Sequence, residues 1–238
     1  MSFPKPCVAR VDSAPQAENK EMAMNFNDRS KAIVCLVRHG QTNWNVEGRM
    51  QGREEVPLNE NGIAQAREAA EGMKAACESI GLHFNKIISS PLERAVDTAN
   101  IIREAIGCDY FGKDERWLER DFGVLSGYTY DDYARAVHAN ADGVKDIESV
   151  EAMMARARSF FEDEAKAGDR ILVLTHGAMA TTLAKNSNKP AYIPPEKVGG
   201  VGNCHASFYT YDGKEITLEG FNIHPKDVKK FVTENIEK

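Results

Sequence analysis

The stretch "KAIVCLVRHGQTNWN", residues 31–45, decides the fold. Ile33 to Val37 is a short apolar run, which predicts a buried β-strand. Arg38 and His39 follow where this strand leaves the sheet, and Gly40 lets the chain turn. Two adjacent polar side chains at the end of a core strand indicate a candidate functional site.

The stretch "RILVLTHGAMA", residues 170–180, repeats this arrangement. A second apolar strand ends at Thr175, His176 follows, and Gly177 begins a predicted helix. Ligands of open α/β sheets bind outside the carboxyl ends of the strands. We therefore expect His39 and His176 to be delivered to one place.

Between these two strands the pattern alternates strand and helix. Residues 58–77 predict a helix with Asn59 as N-cap, and its apolar positions are Ile63, Ala66, Ala69, Ala70 and Met73. "NKIISS", residues 85–90, predicts a short strand. Pro91 is then expected to begin the helix "PLERAVDTANIIREA". Strands that alternate with helices favour an α/β domain on a mainly parallel sheet.

The later part of the chain continues this pattern. Residues 109–128 are predicted to be rich in loops, and residues 146–168 to form a long amphipathic helix that ends at Gly168. "ASFYTYDGKEITLEGFN", residues 206–222, alternates apolar and polar residues around a DG pair. This pattern predicts a closing β-hairpin.

The composition excludes several classes of protein. The 238 residues carry a net charge of −6, which argues against broad binding to nucleic acid or to anionic membranes. No segment approaches the ~20 apolar residues of a membrane span. An odd count of five cysteines without a CxxC pair indicates no disulfide framework and a reducing compartment, which we take to be the cytoplasm.

Residues 1–30 differ from the rest, since they show neither sustained periodicity nor an apolar segment of signal-peptide type. We interpret them as a flexible extension before a single domain at 31–238. The extension could be natural, derived from a vector, or the result of a misassigned start, because Met22 and Met24 lie inside it.

Five residues stand at strand ends or helix starts and together suit phosphoryl transfer without a metal: Arg38, His39, Arg94, Glu119 and His176. Two arginines can grip a tetrahedral oxyanion, and a neutral imidazole is a competent nucleophile. A carboxylic acid can protonate the leaving alkoxide. Taken singly, each residue is more often structural, and only the joint placement carries the hypothesis. Metal-ligand spacing such as HExxH is absent from the sequence.

Four stretches resemble the histidine phosphatase superfamily, in the family's order and at plausible spacing. They are "RHGQTNWNVEGRMQGREEVPLNENG" (38–62), "IISSPLERAVDTA" (87–99), "LERDFGVLSG" (118–127) and "VLTHGAMA" (173–180). The resemblance spans residues 31 to about 211. It implies a three-layer α/β/α sandwich with a mostly parallel central sheet, and no metal or organic cofactor.

The resemblance also implies roles for individual residues. His39 would become phosphohistidine, Glu119 would be the general acid and base, and Arg38, Arg94 and His176 would surround the phosphoryl oxygens. Further positions that match the phosphate or substrate pocket are Thr42, Asn45, Gln51, Gly52, Arg120 and Gly177. The expected partner is a small phosphorylated metabolite, and a monomer and a homodimer both remain open.

The superfamily contains phosphatases and phosphoglycerate mutases. The cofactor-dependent mutases of this superfamily carry a long insertion with an arginine pair between the glutamate motif and the second histidine. In this chain only 48 residues lie between Gly127 and His176. That difference favours the broad-specificity phosphatase branch. Arg120, which directly follows Glu119 as in the mutases, favours the alternative. A noncatalytic sensor of phosphate ligands is a third hypothesis.

Overall fold

A computed structural model describes residues 25–139, 146–189 and 198–234. Its centre is one six-stranded sheet with the strand order β3-β2-β4-β1-β5-β6. The strands are β1 (Ala32–Arg38), β2 (Lys86–Ser89), β3 (Phe111–Lys113), β4 (Arg170–Thr175), β5 (Ala206–Tyr211) and β6 (Ile216–Ile223). Pairing is parallel from β3 through β1, and β5 is antiparallel to both of its neighbours.

Helices cover both faces of the sheet. They are α1 (Asn43–Val46), α2 (Glu60–Ile80), α3 (Glu93–Ile106), α4 (Tyr130–Ala139), α5 (Val150–Glu164), α6 (Gly177–Asn186) and α7 (Val228–Glu234). One apolar core lies between the sheet and α2, α3 and α7, and a second lies between the sheet and α5 and α6. The prediction of a three-layer α/β/α sandwich on a mostly parallel sheet is confirmed.

The register of β1 and β4 positions the candidate site. Both strands are largely apolar until their last residues, and Arg38 lies opposite Thr175 in the parallel pair. The His39 N–H donates to the Thr175 carbonyl over 3.0 Å. The two strands therefore end at the same level, and His39 and His176 leave the sheet side by side.

The structure corrects several predicted boundaries. Helix α3 begins at Glu93 rather than at Pro91, and α5 ends at Glu164, four residues before Gly168. Strand β3 lies inside the stretch predicted to be rich in loops, where its three residues are too few for a periodic pattern. Ile63 is 37% exposed and does not contribute to the core. The Asn59 cap and the closing hairpin are confirmed.

The first described residues contact the domain. Phe26 is buried and packs edge-on against Phe208. The buried Arg170 guanidinium donates to the carbonyls of Phe26 and Asp28. Residues 25–30 of the predicted extension thus pack onto the sheet, and residues 1–24 lie outside the described part of the chain. Within the described residues, no helix is long and apolar enough to cross a membrane.

Candidate active site

His39 and His176 meet at the carboxyl ends of β1 and β4. Their ring centroids are 5.1 Å apart with the planes tilted by 59°. Both side chains are almost completely buried, with exposures of 2% and 0%. The sequence prediction that two strands deliver two histidines to one place is confirmed.

The surroundings of His39 fix its tautomer. Its Nδ1 lies 2.7 Å from the Gly40 carbonyl oxygen, and because a carbonyl can only accept, Nδ1 must carry the proton. Nε2 then keeps its lone pair. Burial, followed by the charges of Arg94 and Arg38, holds the pKa of His39 well below 6.5. The ring is therefore neutral and suited to nucleophilic attack.

Two arginines approach these rings from different elements. Arg38 ends β1, and its guanidinium donates to the Val201 carbonyl. Arg94 lies in the first turn of α3 and is fully buried. Burial lowers the pKa of Arg94 to about 10, so it remains a cation at neutral pH. Each guanidinium also has a buried Nε without a hydrogen-bond partner among the described residues.

His176 occupies the N-cap position of α6, and its side chain makes no capping hydrogen bond. Its Nε2 lies 2.7 Å from Ser90 Oγ, and its buried Nδ1 has no partner within the described ranges. Burial and the charge of Arg94 hold the pKa of His176 well below 6.5. Unpaired buried polar atoms are rare in folded proteins. Three of the six such atoms among the described residues belong to Arg38, Arg94 and His176, as expected where an oxyanion binds.

Glu119 reaches the same place from a loop. Its Oε1 accepts the N–H groups of Arg120 and Met179, and its Oε2 accepts that of Ala178. Two of these donors belong to the first turn of α6, where free N–H groups favour a carboxylate. The charge of Glu119 acts on both Arg38 and Arg94. The carboxylate is thus held beside the two arginines.

A largely buried ion pair holds the loop that carries Glu119. The Arg156 guanidinium on α5 donates to both carboxylate oxygens of Glu148 and to the Arg116 and Glu119 carbonyls. Glu148 Oε2 also accepts the Asp121 N–H. No sequence motif pointed to Arg156 or Glu148. Only the folded structure shows their contact with the loop, because no local sequence pattern links α5 to it.

Four of the five predicted catalytic residues open onto a cleft of about 610 Å³, whereas His176 is fully buried and does not line it. Arg38, His39, Arg94 and Glu119 line it, as do four further predicted positions, Asn45, Gln51, Arg120 and Gly177. The buried Gln51 Oε1 has no partner among the described residues. The Arg120 Nε donates to the Glu148 carbonyl, and its guanidinium lies over the Phe122 ring.

Two predicted positions act behind the cleft wall. Thr42 is fully buried and caps α1, where its hydroxyl and N–H bond Asn45 Oδ1. The Gly52 carbonyl accepts from Arg94. Neither Thr42 nor Gly52 lines the cleft, so both orient other residues here. Asn203, which no sequence motif indicated, donates to the His39 carbonyl and to Asn45 Oδ1.

Two glycines lie in close contact with groups of the site. A Cβ at Gly62, in the first turn of α2, would collide with the backbone of Gln41, which holds the turn after His39. A Cβ at Gly177 would lie 3.3 Å from Arg38 Nε. The small residue at Gly62 lets the first turn of α2 pack against the turn after His39, and the one at Gly177 lets the Arg38 guanidinium pack against α6. Among the described residues, no group of three His, Cys, Asp or Glu side chains could hold a metal ion.

Comparisons with known proteins agree with this geometry. The family model of the histidine phosphatase superfamily (branch 1) matches residues 34–224. A protein named probable phosphoglycerate mutase GpmB, from Enterobacter sp. (strain 638), is 35% identical over 190 residues, which cover 75% of this chain and 84% of the relative. An uncharacterized phosphatase PhoE from Bacillus subtilis (strain 168) is 33% identical over 152 residues, 63% of this chain and 74% of the relative.

A solved structure shares the fold. The mycobacterial glucosyl-3-phosphoglycerate phosphatase in complex with VO3 superimposes with a TM-score of 0.63 at 25% identity. The match covers 81% of this chain and 99% of that one. The relatives include proteins named as phosphatases and proteins named as mutases. The comparisons therefore establish the family, and the choice between the two reactions has to be argued from the site.

Proposed function

The chain belongs to the histidine phosphatase superfamily, branch 1, and we propose that it hydrolyses small phosphate monoesters through a phosphohistidine intermediate on His39. The observation that carries the proposal is the neutral His39 ring. The ring keeps a lone pair on Nε2, it lies 5.1 Å from the His176 ring, and the charges of Arg94 and Arg38 act on it. Each of these three neighbours has a buried nitrogen that is unpaired among the described residues. A phosphoryl group bound there would satisfy these nitrogens and place phosphorus next to the nucleophile.

The first chemical step would transfer the phosphoryl group to the enzyme. His39 Nε2 forms a bond to phosphorus, and the ester P–O bond breaks. Glu119 in its acid form gives a proton to the departing alkoxide. Arg38 and Arg94 stabilise the charge on the equatorial oxygens, which replaces the positive charge that a metal ion supplies in other phosphatases.

The second step would return the enzyme to its starting state. Glu119, now a carboxylate, takes a proton from water while the water oxygen attacks the phosphorus. The N–P bond breaks, inorganic phosphate leaves, and His39 Nε2 regains its lone pair. The carbonyl of Gly40 keeps the proton on Nδ1 throughout, so the ring does not have to change tautomer.

A phosphoglycerate mutase is the second candidate. The GpmB relative carries that name, and Arg120 lines the cleft beside Glu119. Its Nε is already used by the Glu148 carbonyl and its guanidinium stacks on Phe122. These contacts hold Arg120 against the wall. We favour hydrolysis because the short segment between Gly127 and His176 contains no pair of adjacent arginines before its helix.

The proposal is tested by turnover and by trapping. Purified enzyme with excess EDTA should hydrolyse p-nitrophenyl phosphate, and vanadate should inhibit it. Quenching into alkali, in which phosphohistidine is stable, should leave a phosphoryl group on wild type but not on His39→Gln. A noncatalytic sensor would bind phosphate without turnover or label.

Product analysis separates hydrolysis from transfer. The enzyme is incubated with 3-phosphoglycerate, with and without 2,3-bisphosphoglycerate. Release of inorganic phosphate supports the phosphatase. Formation of 2-phosphoglycerate, stimulated by the bisphosphate, would instead identify a mutase.

A further inference from the structure

Helix α6 forms one side of the cleft over its whole length. After Gly177 and Ala178, the lining continues at later positions of the same helix, which are Thr181, Thr182, Lys185 and Asn186. Residues three and four apart share one helix face. At 1.5 Å per residue, Lys185 lies about 12 Å along the axis from Gly177. The cleft therefore continues far beyond the space that a phosphoryl group fills.

The lining of this extended cleft is amphipathic. The two threonines of α6 add hydroxyl groups to the lining. Met50, Phe122 and Tyr133 add apolar surface, and the last two pack edge-to-face with ring centroids 6.1 Å apart. Such a passage suits an organic group with apolar carbon and a few polar atoms. It is longer than a simple aryl or short-chain phosphate needs.

The charge of the cleft is strongly positive although the chain as a whole carries −6. Among the described residues, its lining contains five cations, Arg38, Arg49, Arg94, Arg120 and Lys185, and one acid, Glu119. Arg38 and Arg94 face the phosphoryl position.

The other three cations differ in how their charge is used. Arg49 is paired with Glu47 over 2.6 Å, and Arg120 is bound to the Glu148 carbonyl. Lys185 is exposed and forms no ion pair with any described residue. Its charge is thus available to a ligand at the far end of the cleft.

We propose that the substrate is an elongated phosphate monoester whose far end carries a second anionic group that binds Lys185. This inference rests on the proposed phosphatase function, since it assumes that the phosphate of the substrate lies at His39. The body of the substrate would pass the α6 threonines and the apolar cluster. A carboxylate and a phosphate offer Lys185 the same chemistry, and both are included in the test.

Binding of non-hydrolysable phosphonates tests the proposal without requiring turnover. Alkylphosphonates with a terminal carboxylate are compared with their methyl esters by calorimetry, over chain lengths from propyl to decyl. Only the long acids can reach both ends of the cleft. They should bind about fivefold more tightly than their esters, the upper range for an exposed charge pair, while short pairs show no such preference. A second series with a terminal phosphonate distinguishes the two anions.

Matched lysine variants locate the effect. Lys185→Gln should remove the preference for the long acids. Lys229→Gln removes the same charge from an exposed position on α7 and should keep it. Because exposed charges are screened by salt, the wild-type preference should also shrink between about 0.05 and 0.5 M salt.

Failure of this proposal is distinguishable from failure of the proposed function. If p-nitrophenyl phosphate is hydrolysed but long acids and esters bind equally, the second anionic site is wrong and the phosphatase stands. The second anionic site is also wrong if Lys185→Gln keeps the preference, or if Lys229→Gln removes it as well. If turnover is absent while the length-dependent preference is present, the substrate inference survives as a ligand specificity and the reaction is wrong.

Discussion

The His39 and His176 rings lie 5.1 Å apart at the ends of two neighbouring parallel strands, although the two residues are 137 positions apart in the chain (176 − 39). The contact depends on the register of β1 and β4, in which Arg38 lies opposite Thr175. Because the two strands end at the same level of the sheet, the residues that follow them come into contact. In the proposed mechanism, this relationship places His176 beside the nucleophile His39.

Replacement of His39 by alanine should abolish turnover, with a loss of at least about 10³-fold in kcat, because no other side chain offers a lone pair at that position. His83→Ala, an exposed histidine after α2, is the matched control and should keep wild-type activity. Steady-state kinetics on p-nitrophenyl phosphate measure both. A folded His39→Ala enzyme that keeps a large part of its rate would contradict the phosphohistidine mechanism.

The sequence revealed this pair because both histidines follow uninterrupted apolar strands, and strand ends of an α/β sheet are where sites form. The sequence could not reveal the residues that hold the catalytic side chains in place. Arg156 lies on α5 and Asn203 precedes β5, and each contacts the site only through tertiary folding. Strand β3 was missed because its three residues show no period. Ile63 fits helical spacing but lies at the edge of the packed face of α2. How far that packed face extends depends on the positions of the neighbouring elements, which the sequence does not give.

The buried histidines should make stability depend on pH. The pKa values of His39 and His176 in the folded protein are well below 6.5, so the unfolded chain binds more protons as pH falls below about 6.5. Stability is therefore fully present above that pH and is lost on acidification, by up to about 1.4 kcal/mol per pH unit for each ring. Urea unfolding in phosphate-free buffers between pH 7.5 and 5 measures this slope.

The double variant His39→Asn/His176→Asn should flatten the dependence, because asparagine does not titrate. His83→Asn should retain the wild-type slope. If the double variant loses stability on acidification as steeply as wild type, other groups govern the acid transition.

Arg156 should act as a positioning residue for Glu119. Arg156→Gln removes the hydrogen bonds of the guanidinium to Glu148 and to the loop that carries Glu119, so the loop can move. A displacement of about 1 Å at a catalytic group costs roughly 100-fold in rate. Lysine cannot form the bidentate contact with Glu148, so Arg156→Lys should restore only part of the activity. Arg158→Gln, two residues along α5 and bonded to the Lys214 carbonyl, is the control.

The role of Arg156 is separated from general destabilisation by the choice of substrate. If it acts through Glu119, Arg156→Gln should slow alkyl phosphates more than p-nitrophenyl phosphate, because only the alkoxide needs a proton to leave. Equal losses on both substrates, accompanied by a lower urea midpoint, would assign Arg156 a structural role alone.

Glu119→Gln is the most direct test of proton transfer. Ala178 and Met179 donate to different oxygens of Glu119, so the glutamine oxygen can still accept from only one of these two α6 N–H groups. The side chain no longer carries an acidic proton to give or a charge to receive one. Alkyl phosphates should lose about 10²- to 10⁴-fold in kcat/KM, the usual contribution of general acid catalysis. Glu115→Gln, an exposed residue four positions earlier, is the control and should lose nothing.

With p-nitrophenyl phosphate, the Glu119→Gln variant should reveal the two steps separately. p-Nitrophenolate leaves without a proton, so phosphorylation of His39 stays fast. Hydrolysis of phosphohistidine still needs a base, so it becomes slow. Rapid mixing should therefore show a burst of about one equivalent of p-nitrophenolate followed by a slow steady state. If both substrates lose activity equally and no burst forms, Glu119 positions the α6 N-terminus and another group moves the proton.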